Sequence, residues 1–416
     1  MMSISKAVKT VTALVAVTSF FQFSSCTDDD PPGFDQAINP IWQYNFNIGL
    51  TTGIAPFIYE DRVIYAAYEA LSSDLRANQD LLAFDIESGE LLWTWNDHFE
   101  PEFQNFGSKS LRAVHNGIMA ATIGSRNFAI NLKDGTTLWK NRNTTSTSSD
   151  DVSIFGNLLF RTDFGFFEVD GFYRDAIMVT DFATGEWEKV YEVTGGDSLQ
   201  QGLEVPSFYT ANNGDLIGLF TNTELDMRTN DVYPSLISYN FTTNEELYTV
   251  SLDENPNNSS AVDWFPVIDG KQVYIAVDDM LVCHNVETGA RIWKQDLNSN
   301  LLSAGFILVE GRIYAKSEGD GILWCIDALN GNVIWQVPST GLGSRLYHYN
   351  GLLYWIGDNV LNIAEMSTGQ TIATVRAPSS FKNGDDPFAP RMGLDSETGH
   401  LYLMSYTTAY CYPPLR

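Results

Sequence analysis

One pattern recurs along this chain of 416 residues and sets what it can fold into. It reads: a small residue, any residue, Asp or Asn, three residues, Gly, three residues, Trp. The first two copies are Ala83-Asp85-Gly89-Trp93 and Ala129-Asn131-Gly135-Trp139. The fifth and sixth are Cys283-Asn285-Gly289-Trp293 and Cys325-Asp327-Gly331-Trp335. Three copies depart: Val179-Asp181-Gly185 with Lys189 at the Trp position, Ser238-Asn240-Asn244-Tyr248, and Ile363-Glu365-Gly369 with Ala373. A β-rich run leads into each copy. The Asp or Asn side chain accepts nearby backbone N–H groups and opens a turn. The Gly supports positive φ, and Asn244, its one substitute, is the next most tolerant residue there. A second strand then carries the Trp, so each copy predicts a hairpin with a fixed loop.

A further hairpin stands upstream of each copy, as in Val267-Ile268-Asp269-Gly270-Lys271-Gln272-Val273-Tyr274 and Ile307-Leu308-Val309-Glu310-Gly311-Arg312-Ile313-Tyr314. Each unit therefore has four strands, and the units recur every 38 to 59 residues. That is the signature of propeller blades. Large residues pack blade on blade, a role suited to Trp93, Trp139, Trp293 and Trp335. The count closes at eight. Pro390 to Leu403 gives two strands around Glu397-Thr398-Gly399, and Tyr410-Cys411-Tyr412 gives a third with Cys411 at the small position. The missing fourth strand is supplied by Ile41-Trp42-Gln43-Tyr44-Asn45-Phe46 near the other end. The fold class expected is all-β: an eight-bladed propeller of four-stranded antiparallel blades. The N-terminal strand completes the last blade, which leaves the ring without an open break.

The Ala-x-Asp-x-x-Thr-Gly-x-x-x-Trp form of the repeat resembles the PQQ-type (quinoprotein) propeller repeat across residues 37–416. It resembles WD40 or kelch repeats less, since no Trp-Asp dipeptide occurs. Two families share this repeat and a signal peptide. Quinoprotein dehydrogenases are enzymes. The propeller lipoprotein of the outer-membrane β-barrel assembly machinery is a non-catalytic scaffold.

The N-terminus reads as a processing segment. Lys6 and Lys9 precede an apolar stretch from Thr10 to Phe23, too short for an ordinary membrane span. Phe23-Ser24-Ser25-Cys26 resembles a bacterial lipobox. The resemblance implies a signal peptide over 1–25, cut before a lipidated Cys26. An ordinary signal peptide with an incidental cysteine is the plainer alternative. Residues 26–36 include Asp28-Asp29-Asp30-Pro31-Pro32-Gly33 and read as a flexible tether. An acidic run after such a cysteine also resembles the surface-export signal of Bacteroidetes-type lipoproteins; a solvated spacer explains it equally. The propeller is assigned 37–416.

A formal charge of −28 argues against nucleic acid and against adhesion to an anionic membrane surface. Cys283, Cys325 and Cys411 are odd in number and far apart, so they make no disulfide framework. They occupy the small position of the repeat and read as buried core residues. Adjacent cysteines beside a cofactor, typical of quinoprotein alcohol dehydrogenases, are not matched here. The chain has no Cys-x-x-Cys-His, His-Glu-x-x-His, Walker or nucleophile-elbow motif. His284 follows Cys283 directly, and neighbours in a strand point to opposite faces. Asp278-Asp279, Asp253-Glu254 and Asp385-Asp386 read as solvated turn residues. No metal, cofactor or catalytic set is assigned.

Strand parity puts the Asp-to-Gly turns on one rim. The second-to-third strand loops and blade connections lie on the other. The long segments fall on that second rim: 68–80, 95–107, 163–175, 222–234 and 377–391. Trp95, Phe99, Phe103, Phe106, Phe166, Phe167 and Tyr173 stand in them. Aromatics on long loops point to a binding surface. The expectation is a monomeric cell-envelope lipoprotein of the outer membrane that binds a protein or glycan partner there. A PQQ-dependent or other propeller enzyme with its site at the mouth of the central channel is the alternative.

Overall fold

A computed structural model describes residues 38–46, 55–68, 79–97, 112–123, 126–142, 152–169, 172–196, 199–252, 266–277, 279–299, 301, 305–317, 320–340, 343–378 and 387–415. Their regular structure is all β, arranged as eight antiparallel sheets. Seven sheets are contiguous in the chain and form blades 1 to 7 at 57–95, 112–142, 152–194, 199–251, 267–296, 306–338 and 347–375. Blade 8 joins Met392–Leu394, Leu401–Met404 and Thr408–Tyr412 to Trp42–Asn45. Trp42 lies opposite Cys411 and Tyr44 opposite Ala409 in an antiparallel ladder. This is the eight-bladed ring read from the repeat, shut by pairing of the two ends.

Blades 8 and 1 then meet through side chains. Trp42 Nε1 donates to the Ile86 carbonyl at 3.1 Å. Its ring stacks on Phe84 with centroids 6.2 Å apart.

The turns follow from their side chains. Asp85 Oδ1 accepts the amides of Glu87 at 3.2 Å and Ser88 at 2.7 Å. Asn285 Oδ1 does the same for Glu287 and Thr288, both at 3.0 Å. The Ser88 amide and hydroxyl hold the Asp85 carboxyl below the usual carboxylate range. In blades 1, 2 and 4 to 7 the ladder slips directly after the small residue, at Ala83, Ala129, Ser238, Cys283, Cys325 and Ile363. The extra residue of that bulge fixes the length of the motif. It also places the small residue squarely opposite the Trp: Ala83 faces Trp93, Cys283 faces Trp293 and Cys325 faces Trp335 across the strands. A wide ring and a methyl or thiol thus share one blade face. Blade 3 differs. Its bulge lies between Ile177 and Met178, so Tyr191 pairs with Ile177.

Two long segments read as loops are strand instead. Blade 3 continues its second and third strands through Leu158–Val169 and Phe172–Asp181, and blade 4 through Leu216–Asp226 and Asp231–Asn240. β-Branched and aromatic residues run on past the blade body, and backbone pairing follows them.

Candidate functional site

In a four-stranded meander the first-to-second and third-to-fourth turns share a rim. The opposite rim carries the extensions of blades 3 and 4. The innermost strand of blade 4 is split to serve them. Ser207–Thr210 pairs with the blade body and Leu199–Leu203 pairs with 222–226 of the extension. The Leu203 amide donates to the buried Asp175 carboxylate of blade 3 at 2.9 Å. Gln201 donates to Glu224 at 2.8 Å and accepts from Asn222 at 2.7 Å. These bonds tie both extensions into one ledge standing off the long-loop rim. Arg228 closes its tip, pairing with Asp226 at 3.0 Å beside Asn230, whose φ is 62°. Met227 and Tyr233 expose 44% and 43% of their surface on it. A sulfur chain and a phenol exposed beside carboxylates can grip an apolar or aromatic group of a partner.

The aromatic residues proposed for this rim fall into three groups. Trp95 is not a rim contact: it is 2% exposed, stacks on Phe128 at 4.6 Å, and donates to Thr137 Oγ1 at 2.9 Å. The strand Leu91–Trp95 reaches one residue pair further than the motif, which sends this second indole into the junction with blade 2. Phe166, Phe167 and Tyr173 lie in the extended strands of blade 3, with the positions of their side chains outside the described set. Phe99, Phe103, Phe106 and the lipid-attachment residue Cys26 lie outside the described residues. Met227 and Tyr233 were not singled out in the sequence. The β-forming residues on both sides of Arg228-Thr229-Asn230 were the signal that would have turned a loop into a hairpin.

The motif indoles stand at the blade junctions. A Cβ at Gly89 would lie 2.6 Å from Trp42, at Gly135 2.7 Å from Trp93, and at Gly185 2.6 Å from Trp139. The same holds for Gly331 under Trp293 at 2.7 Å and Gly369 under Trp335 at 2.5 Å. Each indole also donates to a carbonyl of the next blade: Trp93 to Leu132 at 3.1 Å, Trp139 to Phe182 at 2.8 Å, Trp293 to Ala328 at 3.0 Å and Trp335 to Met366 at 3.3 Å. Tyr248 serves blade 4 in this way, its hydroxyl donating to Val286 at 2.8 Å.

The thiols lie inside these same junctions. Burial pushes Cys283 and Cys411 up to about 12, and pushes Cys325 up as well. A thiol so protonated is a poor nucleophile and metal ligand. His284 is buried on the opposite blade face, its Nδ1–H donating to the Gly289 carbonyl at 2.8 Å. Among the described residues no group of three His, Cys, Asp or Glu is placed to hold a metal ion.

A family model described as "Outer membrane protein assembly factor BamB" matches residues 39–217 and 235–372. The chain belongs to that family. Solved structures carry the same architecture at low identity. BamB of Moraxella catarrhalis aligns with a TM-score of 0.55 and 13% identity, over 90% of this chain and 97% of that one. A quinohemoprotein alcohol dehydrogenase of Pseudomonas putida HK5 aligns at 0.59 and 12%, over 91% and 77%. Saccharomyces cerevisiae Sqt1 aligns at 0.56 and 9%, over 91% and 99%. No curated protein sequence matches the chain. The BamB-family assignment therefore rests on the sequence pattern, and the structures add the fold alone.

Proposed function

We propose that this BamB-family propeller is a non-catalytic envelope lipoprotein that holds a protein partner on its long-loop rim. Family membership supports an outer-membrane setting and a role in protein assembly. The lipobox-like Phe23-Ser24-Ser25-Cys26 supports a lipid anchor at Cys26, with 1–25 removed and 26–36 as tether. Several acyl chains on one cysteine anchor stably where a single chain would not.

The observation that carries the reading is the ledge of blades 3 and 4. It is held by buried hydrogen bonds and exposes Met227 and Tyr233 beyond the blade bodies. A rigid, protruding element with an apolar tip loses little freedom on binding. Functional surfaces of this kind sit on elements that a scaffold projects.

The test is site-specific photo-crosslinking in the native host, with a photoreactive residue at Tyr233 or Met227 and a control at Leu247 on an outermost strand. Crosslinks to one envelope protein from the ledge and none from Leu247 support the proposal. Equal labelling from both positions overturns it. The catalytic alternative is tested by adding PQQ and Ca²⁺ to the purified chain. A bound-cofactor spectrum with dye-linked alcohol oxidation would replace the scaffold reading. Loss of membrane fractionation in Cys26→Ala checks the anchor.

A further inference from the structure

The junction between blades 7 and 8 lacks the motif ring and motif glycine that six of the other junctions have. Blade 7 carries Ala373 where the indole would stand, and Ile363 sits at the facing small position. Blade 8 ends its third strand at Tyr412 and runs into Pro413-Pro414-Leu415, so the motif's glycine turn after the third strand is absent. Among the described residues the only ring-on-glycine contact at this junction is Tyr349 over Gly399 of the first-to-second strand turn.

A cavity of about 230 Å³ occupies this place, lined by Tyr349, Asn350, Leu352, Tyr354, Ile372 and Pro414. Its walls match the bed of an indole in the neighbouring blades. Tyr354 pairs across from Ile363 as Tyr274 pairs across from Cys283 and Tyr314 from Cys325. In blades 5 and 6 those tyrosines lie 6.0 Å from Trp293 and 6.0 Å from Trp335. In blade 7 the corresponding Tyr354 lines the cavity. Pro414 stands three residues after Cys411, as Ala328, which accepts the Trp293 N–H, stands three after Cys325. The residue at the indole-accepting position thus lines the cavity. Tyr354 cannot fill it, because its hydroxyl is engaged with the Leu415 carbonyl at 2.9 Å.

The size fits a bicyclic ring. A dry cavity of about 150 Å³ admits benzene, and drug-sized ligands use about 300 Å³ or more. Asn350 is exposed at the turn and Ile372 half-exposed on the outermost strand, so the cavity opens to solvent.

We propose that this socket binds an indole side chain presented by a polypeptide partner, which completes a junction where the motif's ring and its glycine turn are both missing. The site is on the turn rim and is independent of the ledge. An unfilled apolar bed of this shape gains from burial of the ring and from one N–H···O bond.

Indole and N-acetyltryptophanamide, titrated separately into the full chain by calorimetry and by saturation-transfer NMR, test the idea. Both are expected to bind with a dissociation constant on the order of 1 mM or below. Ala373→Trp is expected to weaken both at least tenfold by filling the socket from within. Ile372→Gln, at the mouth and only partly buried against the core, is expected to weaken both severalfold and guards against misfolding of the first variant. Circular dichroism confirms the fold of each. No binding of indole, or binding unchanged in both variants, overturns the site. Binding of indole without N-acetyltryptophanamide overturns the polypeptide occupant.

Discussion

The blade junctions are of two kinds. At six of them an aromatic ring of one blade lies on a glycine turn of the next: Trp42, Trp93, Trp139, Tyr248, Trp293 and Trp335 over Gly89, Gly135, Gly185, Gly289, Gly331 and Gly369. At the 3–4 and 7–8 junctions neither half of the motif is present, although at 7–8 Tyr349 lies over Gly399 of the first-to-second strand turn. Blade 3 has Lys189 and blade 4 has Asn244; blade 7 has Ala373 and blade 8 runs into Pro413-Pro414. Ring and glycine are therefore one device made of two residues on neighbouring blades. Losing one removes the reason for keeping the other. The 3–4 junction is packed differently, with Tyr191 of blade 3 against Tyr239 at 4.9 Å and Phe220 at 5.0 Å.

The largest effect tests the ring half. Trp293 is 8% exposed, spans blades 5 and 6, and makes a hydrogen bond at its far side. Trp293→Ala is expected to cost about 3–5 kcal/mol in urea unfolding. Lys189→Ala, at the aligned position of blade 3, is expected to stay within about 0.5 kcal/mol. Comparable costs at the two sites would refute the division into two kinds of junction.

The glycine half is tested within one blade. Gly331 and Gly311 have nearly equal φ values, 77° and 73°. A Cβ at Gly331 would meet Trp293 at 2.7 Å, while a Cβ at Gly311 would meet nothing within 4 Å. Gly311→Ala is expected to cost about 1–2 kcal/mol, the strain of a left-handed backbone alone. Gly331→Ala bears the same strain plus displacement of the indole, and is expected to cost about 1–3 kcal/mol more. In a Trp293→Ala background that excess should vanish. A double-mutant cycle reads this directly.

Much of the ring was legible because the repeat states its own geometry. The Asp, the Gly and the Trp sit at spacings that a bulged hairpin requires, and Trp42 had no partner except the incomplete last blade. What was not legible is instructive. Lys189, Asn244 and Ala373 look like scattered defects along the sequence. They pair up only once it is known that a ring of one blade meets the turn of the next. The ledge was missed because each strand was ended at the length expected of a blade, although β-forming residues continue beyond it in 158–181 and 216–240. Trp95 was misplaced because a second indole two residues past the motif stays on the same blade face as Trp93 and is buried with it.

A pH dependence distinguishes the 4–5 junction from its neighbours. Burial holds His284 below its ordinary value, with Arg291 adding to the effect. Its Nδ1–H is bound to Gly289 O and its Nε2 is buried without a partner. The unfolded chain takes up the proton near pH 6.5, while the folded chain resists it. Stability therefore falls as pH drops below about 6.5, by up to about 1.4 kcal/mol per pH unit, until the folded-state value is reached. Asp85, whose carboxyl is held low, also loses stability in acid, but only around and below about pH 4. The comparison is between pH 7.5 and pH 5.5 in urea. His284→Gln is expected to abolish most of the difference between the two, and an unchanged difference would assign it elsewhere.

The smallest effect separates backbone strain from ring contact at the 3–4 junction. Asn244 adopts φ of 61°, which glycine takes at no steric cost. Because blade 3 has Lys189 at the ring position, nothing about an indole demands glycine here. Asn244→Gly is then expected to gain less than about 1 kcal/mol. Asn244→Ala should cost about 1–2 kcal/mol, the magnitude expected for Gly311→Ala and not that for Gly331→Ala. If Asn244→Ala proved as damaging as Gly331→Ala, the glycine of the motif would be required by the turn itself. The ring would then be a passenger on a turn already fixed, and the paired absence of the two at the 3–4 and 7–8 junctions would need another cause.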